Sequence, residues 1–155
     1  MAPSTPAEQP SLGVDLLGVV ARLNRLATQR TSLPLPWAQA RLLSTIEDQG
    51  SARISDLAAL DHSSQPTMTM QVRRLEDAGL VTRTTDPDDA RAVLIRITPE
   101  GVRMLSQVRA DRAKVIDPHL GRLEPQDRET LAEAVRVLRR LLEDAGTPRK
   151  QIKES

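Results

Sequence analysis

Apolar residues recur at spacings of three and four along most of the chain, which is the pattern of amphipathic helices. The first stripe predicts a helix of roughly five turns, and its apolar positions are Leu12, Leu16, Val19, Val20, Leu23, Leu26 and Ala27. Pro34 and Pro36 then interrupt the pattern. A second helix is predicted from Trp37 to Gly50, and a short third one over residues 54–60.

A fourth helix has the clearest signals for its two ends. Ser64 is a favourable N-cap residue, and Pro66 is tolerated in the first helical turn. Gly79 stands where a glycine C-cap is expected. We therefore expect a helix over residues 64–77, and its apolar face consists of Met68, Val72 and Leu75.

After Gly79 the pattern changes to short runs rich in β-branched residues. A turn-forming cluster, DPDDAR, separates LVTRTT from AVLIRIT, and this predicts a hairpin. Thr98 and Pro99 supply an N-cap and a first-turn proline for a fifth helix, which Pro118 or Gly121 ends. A last helix begins near Pro125, and its apolar stripe contains Leu131, Val135, Leu138, Leu141 and Leu142.

The predicted order is four helices, a hairpin and two further helices, which is the layout of a winged helix-turn-helix protein. We expect a mainly α fold with a small β-hairpin, in a single domain over residues 12–145. Its two terminal helices cover residues 12–30 and 125–145. The winged helix-turn-helix lobe covers residues 36–98, and a connecting helix covers residues 99–119. The flanking segments, residues 1–11 and 146–155, are predicted to be disordered tails.

The apolar stripes of the two terminal helices are too long for one small monomer to bury. They predict a homodimer in which these helices form the interface. The interface residues expected from the stripes are Leu16, Val20, Leu131, Leu138 and Leu141.

In this layout the fourth helix enters the major groove and the hairpin, residues 80–98, reaches sideways along the DNA. On a helical wheel Met70 and Arg73 fall within about 40° of Pro66, opposite the apolar face. The candidate DNA contacts of the helix are Ser64, Gln65, Pro66, Thr67, Thr69, Met70, Arg73 and Arg74. An ordinary amphipathic surface helix would show the same division. Residues 50–98 also contain six arginines and seven acidic residues, so DNA binding requires the acidic side chains to point away from the DNA.

Composition narrows the function classes. The 22 basic and 21 acidic side chains give a net charge of +1, which by itself does not indicate nucleic acid. The absence of cysteine excludes disulfides, thiolate metal sites and cysteine nucleophiles. No apolar run approaches the roughly 20 residues that span a bilayer, and no secretory signal is recognisable, so we expect a cytoplasmic protein. The bias towards Arg and Ala suggests a GC-rich, bacterial genome.

From Leu12 to Leu142 the chain resembles the multiple antibiotic resistance regulator (MarR) family. The best stretch runs from Ser64 to Gly101. It is similar to the family's recognition helix, its step into the wing, its Asp-x-Arg wing tip and its Thr-x-x-Gly exit. In this sequence the step into the wing consists of Leu75, Glu76, Gly79, Leu80 and Val81. The wing tip contains Asp89 and Arg91, and the exit contains Thr98 and Gly101.

The resemblance implies a dimeric, sequence-specific regulator of transcription that binds double-stranded DNA. Such a regulator recognises an inverted-repeat operator, and repression is the family's common mode. The resemblance also implies that Arg91 enters the minor groove and that Asp89 steadies it, which agrees with the negative potential of a narrow minor groove.

Two departures from the family pattern affect the expected operator. Met70 stands where the family often has arginine, so an apolar contact to a thymine methyl would replace a hydrogen bond. Ala90 replaces one of two adjacent arginines of the wing. Both departures concern the operator sequence rather than DNA binding itself.

Many relatives bind a small anionic or aromatic effector, and Arg22, Trp37 and Gln71 are candidates to line such a pocket. Trp37, the only aromatic residue, can equally be a packing anchor. We expect no metal, no cofactor and no enzymatic activity, because no group of acid–base or ligand residues with suitable spacing is present. The competing interpretation is a winged-helix dimer that binds other proteins without specific DNA binding.

Overall fold

The computed structural model describes residues 11–145. The tails predicted to be disordered, residues 1–11 and 146–155, lie outside the described residues apart from Ser11. Six helices and one hairpin follow in the predicted order: α1 (Leu12–Gln29), α2 (Trp37–Gln49), α3 (Ile54–Leu60), α4 (Gln65–Asp77), β1 (Val81–Asp86), β2 (Asp89–Ile97), α5 (Pro99–Leu120) and α6 (Pro125–Asp144). The winged helix-turn-helix fold predicted from the sequence is therefore confirmed.

Side-chain hydroxyls cap the N-terminal ends of three helices. Ser11 Oγ accepts the amide of Val14 at the start of α1, at 3.4 Å. Ser64 Oγ accepts the amide of Thr67 in α4 at 3.3 Å, and Thr98 Oγ1 accepts that of Gly101 in α5 at 3.0 Å. Each bond satisfies an amide that has no partner within its own helix, which is why such residues favour helix starts.

The connecting helix ends before Gly121, which is one of the two residues predicted to end it. α5 continues through Pro118 to Leu120, although proline usually interrupts a helix. Pro118 lies in the last turn, where its missing N–H removes only one hydrogen bond. Gly121 again makes the backbone hydrogen bond of an α-helix, because its amide donates to the carbonyl of Asp117, four residues earlier, at 2.8 Å.

The core lies within the lobe formed by α2, α3, α4 and the hairpin, and α5 closes it. Leu43, Ile46, Leu57, Leu75 and Ile95 are completely buried there. Leu105 and Val108 of α5 join the same cluster. Because the chain has no Phe or Tyr, aliphatic side chains fill this interior.

The hairpin is antiparallel, and its register runs from Val81 opposite Ile97 to Thr85 opposite Val93. An irregularity follows, and Asp86 then pairs with Asp89 at the tip. Ala52, just before α3, forms an isolated β-bridge with Ile95. Its amide donates to the Ile95 carbonyl at 3.1 Å and its carbonyl accepts the Ile95 amide at 2.8 Å. The base of the wing is thus tied to the helical part of the lobe.

The terminal helices leave their apolar stripes uncovered in the single protomer. No residue of α6 is buried, and in α1 only Ala27 is. Several large apolar side chains of these helices are more than half exposed, namely Leu12, Val14, Leu17, Val19, Leu141 and Leu142. No helix within residues 11–145 combines the length and the apolar character needed to cross a membrane.

Candidate nucleic-acid interface

The two faces of α4 have different roles. Met68, Val72 and Leu75 are at most 1% exposed and belong to the core. The side opposite is open to solvent, since all eight predicted contacts of this helix are exposed: Ser64, Gln65, Pro66, Thr67, Thr69, Met70, Arg73 and Arg74. The helix therefore presents a continuous polar surface that plays no part in packing the lobe.

Small side chains surround the start of α4. Ser64 is its N-cap residue, and the hydroxyls of Ser64 and Thr67 lie 2.8 Å apart. Short side chains at this end leave the first turn accessible to a large ligand. The N-terminal end of a helix also carries a partial positive charge, which favours a phosphate group nearby.

A tight turn directs α4 away from α3. His62 has a positive φ of 52°, and Ser63 donates its amide to the Ala58 carbonyl at 3.0 Å. This is the C-cap geometry that glycine usually provides. His62 therefore has a clear conformational role in this turn.

Arginines from elsewhere on the lobe bind most of its acids. Of the seven acids in residues 50–98, four lie within ion-pair distance of an arginine, namely Asp61, Glu76, Asp86 and Asp89. In contrast, Arg73, Arg74 and Arg91 have no ion-pair partner among residues 11–145. Cations without an ion-pair partner therefore lie on the exposed side of α4 and at the wing tip, and the acids of residues 50–98 without such a partner among residues 11–145 are Asp56, Asp77 and Asp88.

The wing tip is ordered by its own aspartates. Asp89 Oδ1 accepts the backbone amide of Arg91 at 3.1 Å, and Asp86 Oδ1 accepts that of Asp88 at 3.0 Å. Asp89 therefore holds the backbone of Arg91 and leaves its guanidinium free. Both Asp89 and Arg91 are exposed.

Sequence reasoning missed Arg53, the N-cap residue of α3. Its guanidinium Nη2 lies 2.7 Å from Asp86 Oδ2 and 3.7 Å from Asp89 Oδ2. The hydrogen bond to Asp86 and the charges of both aspartates raise the pKa of Arg53 above its ordinary value. Arg53 and Asp86 are 33 positions apart, so no local pattern could have paired them.

Met70 and Arg74 are neighbours on the exposed side of α4. Arg74 Nη2 lies 3.8 Å from the Met70 sulfur, and Met70 is 51% exposed. The thioether thus occupies the surface where the family pattern often has arginine. An apolar group at this place can contact a thymine methyl but cannot donate a hydrogen bond to a base.

The predicted effector residues lie on three different helices. Trp37 begins α2, remains 36% exposed and stacks with Arg112 of α5, whose guanidinium carbon is 4.2 Å from the ring centroid. Arg112 donates to Asn24 Oδ1 of α1 at 2.8 Å, and burial lowers its pKa. Arg22 is exposed on α1, whereas Gln71 of α4 is half-buried.

Two buried polar atoms of these regions lack a partner within residues 11–145, namely Gln71 Oε1 and Arg112 Nε. A cavity of about 200 Å³ lies elsewhere, between α2 and α3. It is lined by the apolar side chains of Leu42, Leu57 and Leu60 and by the polar side chains of Arg41, Asp61 and His62. None of the three predicted effector residues lines this cavity.

Comparison with known proteins agrees with this geometry. The family model described as MarR family matches residues 35–93, which include α2, α3, α4 and most of the wing. The chain therefore contains a MarR-family domain over these residues. The curated relatives are named HTH-type transcriptional regulators, and this chain is accordingly a DNA-binding transcriptional regulator.

The similarity to curated relatives extends well beyond the matched lobe. An uncharacterized HTH-type transcriptional regulator of Mycobacterium bovis is 28% identical over 135 residues, which are 86% of this chain and 94% of the relative. The HTH-type transcriptional repressor MdtR of Bacillus subtilis is 27% identical over 114 residues, 74% of this chain and 72% of the relative.

The fold also matches a solved MarR structure. The multiple antibiotic resistance repressor MarR superposes with a TM-score of 0.68 at 24% identity, over 87% of this chain and 97% of that one. Six helices and a two-stranded wing are therefore the arrangement shared with this family.

Proposed function

We propose that this MarR-family regulator is a repressor that binds an inverted-repeat operator as a homodimer. In this proposal α4 lies in the major groove, and the wing, residues 80–98, lies along the adjacent minor groove. The observation that carries it is the division of α4, whose exposed side is polar and bears two arginines while its other side is core. An ordinary surface helix would also be divided in this way, so the support comes from the two arginines, which have no ion-pair partner among residues 11–145.

The distribution of charge supports the same interpretation. The free guanidiniums of Arg73, Arg74 and Arg91 are available to phosphates and base edges, whereas four of the seven acids in residues 50–98 are engaged with other arginines. Arginine reads guanine through two hydrogen bonds in the major groove and responds to groove width in the minor groove. Arg73 suits the first role by its place at the middle of α4, and Arg91 suits the second by its place at the wing tip.

The uncovered stripes of the terminal helices support the homodimer. Large exposed apolar surfaces are uncommon on monomeric proteins and mark interaction sites. In the proposed dimer, residues 12–30 and 125–145 cover each other across a twofold axis. The interface side chains are Leu16, Val20, Leu131, Leu138 and Leu141.

Twofold symmetry gives the operator its form. Two recognition helices related by such an axis contact half-sites about 34–36 Å apart, one turn of DNA, in inverted orientation. The relative in Bacillus subtilis is a repressor, and occupation of a promoter by such a dimer would exclude the polymerase. The protein would then act in the bacterial cytoplasm, without a catalytic step.

Purified protein can be tested on fragmented genomic DNA. We expect recovered fragments to give a footprint with two inverted half-sites. The logarithm of the affinity should fall linearly with the logarithm of salt concentration, by about 0.9 for each phosphate contact. One monomer on a single asymmetric half-site would contradict the dimer. Binding to partner proteins without any salt-dependent DNA binding would support the competing interaction module.

A small effector that controls DNA binding completes the proposal. The Trp37 ring stacked on Arg112, with the unpartnered Nε of that arginine, offers an aromatic surface and a cation to an anionic aromatic compound. Arg22 and Gln71 remain proposed members of this pocket. Because Trp37 is the only tryptophan, a change of its fluorescence on titration with simple aromatic carboxylates would report binding directly, and unchanged fluorescence would contradict this pocket.

A further inference from the structure

The N-terminal end of α3 is tied to the wing at two successive residues. Ala52 exchanges two backbone hydrogen bonds with Ile95 near the base of the wing. Arg53 then reaches the tip, where its guanidinium lies 2.7 Å from Asp86 and 3.7 Å from Asp89. One short segment before α3 therefore holds both the base and the tip of the hairpin.

Asp86 is the one polar residue that is buried among residues 11–145, with 7% of its surface exposed. A buried carboxylate is unfavourable unless its oxygens are engaged. Here Oδ2 accepts from Arg53, and Oδ1 accepts the amide of Asp88 inside the turn. The ion pair thus connects the body of the lobe to the backbone of the turn that precedes Arg91.

Asp89 extends this connection to the proposed DNA contact. One of its oxygens accepts the Arg91 amide, and the other faces Arg53. From α3 to the wing tip, the path therefore runs from Arg53 through Asp89 to the backbone of Arg91. The guanidinium of Arg91 itself takes no part and stays available.

We propose that Arg53 is a positioning residue for DNA binding, which fixes the direction of the wing so that Arg91 meets the minor groove. This inference rests on the proposed function. A two-stranded hairpin is only marginally stable by itself, and the register of this one is irregular next to Asp86. Without the ion pair the tip would sample many orientations. DNA binding would then have to select one of them, and the conformational entropy lost in doing so would reduce the affinity.

Arg53 could also affect binding by contacting a phosphate directly, and the experiment distinguishes the two roles. If Arg53 acts through the wing, its removal matters only while Arg91 is present. A direct phosphate contact would weaken binding by the same factor whether or not Arg91 is there. A double-mutant cycle between Arg53→Ala and Arg91→Ala measures this difference.

The binding assay uses the full chain at fixed salt, on operators varied separately in the half-sites and in their flanks. We expect Arg53→Ala to weaken binding on the order of tenfold, within the range of coupled neighbours, and to remove the preference for A·T-rich flanks. Preference inside the half-sites should remain. In the Arg91→Ala background the same substitution should have no further effect, and Arg53→Lys should restore part of the affinity.

Two further variants separate positioning from folding. Arg103→Ala removes an exposed arginine whose ion pair with Glu100 lies within α5, and it should leave binding unchanged. Arg53→Met combined with Asp86→Asn leaves no buried charge without a partner, so it should fold while still losing the flank preference. Thermal unfolding of each variant reports the folded fraction.

The outcomes are distinct. Equal losses from Arg53→Ala with and without Arg91, or no loss at all, would overturn the positioning role while leaving the regulator intact. A folded Arg53→Met/Asp86→Asn protein with normal flank preference would overturn it as well. A wild-type protein without salt-dependent DNA binding would overturn the proposed function and this inference together.

Discussion

Thr98 Oγ1 donates a hydrogen bond to the Gly79 carbonyl at 2.7 Å and accepts one from the Gly101 amide at 3.0 Å. The residue that begins α5 therefore also holds the C-terminal end of α4, although 19 positions separate Thr98 from Gly79. Gly79 itself has a φ of 72°, and its amide donates to the Glu76 carbonyl at 2.8 Å. The two ends of the wing meet at this hydroxyl.

Replacing Thr98 by valine should lower the free energy of unfolding by about 1–3 kcal/mol, because both hydrogen bonds of the hydroxyl are lost. Valine keeps the shape of threonine, so the loss can be assigned to the oxygen. Thr98→Ser retains the oxygen and should stay close to the wild type. Urea unfolding followed by circular dichroism measures both proteins, and equal stability of the valine variant would show that the hydroxyl contributes nothing.

Gly101→Ala should destabilise the protein for a steric reason. A Cβ atom at this position would lie 2.2 Å from the Leu80 carbonyl oxygen and 2.7 Å from Ile97 Cγ1. The Leu80 carbonyl also accepts the Thr98 amide at 3.0 Å, so it cannot move freely. We expect a loss of about 1–3 kcal/mol in the free energy of unfolding.

Gly121→Ala is the matched control, because its added Cβ would come no closer than 3.4 Å to any atom and its φ of −63° suits alanine. Its unfolding midpoint should remain near that of the wild type. If both alanine variants unfolded at the same urea concentration, the close approach of α5 to Leu80 would not limit the side chain at position 101.

Glutamates in place of Leu138 and Leu141 should convert the proposed dimer into a monomer. In the single protomer Leu141 is 54% exposed and Leu138 is half-buried, and neither belongs to the core cluster of the lobe, so we expect the substitutions to act mainly on contacts between subunits. Light scattering measures the mass. Arg140→Glu, which lies about 200° around α6 from Leu138, alters the charge on another side and should leave the dimer intact. A folded, dimeric Leu138→Glu/Leu141→Glu protein would refute the assigned interface.

Arg73 and Arg91 should affect different parts of the operator. Arg91→Ala should weaken binding to all sites and flatten preferences in the flanks, because a minor-groove arginine reads groove width. Arg73→Ala should also relax preference inside the half-site, where a paired arginine–guanine contact gives roughly 1–3 kcal/mol of discrimination. Asp89→Ala should resemble Arg91→Ala in part, since Asp89 holds the Arg91 backbone.

Competition binding against an operator library at fixed salt measures these effects. Gln107→Ala on α5, remote from α4 and the wing tip, serves as a control for general loss of activity. Unchanged affinity of Arg91→Ala would remove the support for the wing assignment, while a half-site preference unaffected by Arg73→Ala would limit that arginine to a phosphate contact.

Local sequence signals predicted most of the elements. The periodicity around Met68, Val72 and Leu75, together with the caps Ser64 and Thr98, predicted the ends of α4 and α5 because these features act within a single turn. Helical spacing also separated the buried from the exposed side of α4. Of the two residues predicted to end α5, Gly121 does so and Pro118 does not, since a proline in the last turn removes only one backbone hydrogen bond.

Contacts between distant segments could not be predicted in this way. The Ala52–Ile95 bridge, the Arg53–Asp86 pair and the stacking of Arg112 on Trp37 each join residues more than 30 positions apart. A lone alanine gives no strand signal, and one arginine among many gives no indication of its partner. The positive φ of His62 was equally hidden, because glycine is the usual marker of that conformation.

The separation of α4 into a core side and a solvent side has an evolutionary consequence. Substitutions at exposed positions away from caps usually change stability by no more than about 0.5 kcal/mol, and Thr69, Met70 and Arg73 are such positions. Mutations there can alter the preferred bases without endangering the fold, whereas Val72 and Leu75 cannot vary so freely. After gene duplication, two copies of this protein could therefore acquire different sets of target genes within a few substitutions, while the scaffold that carries them stayed the same.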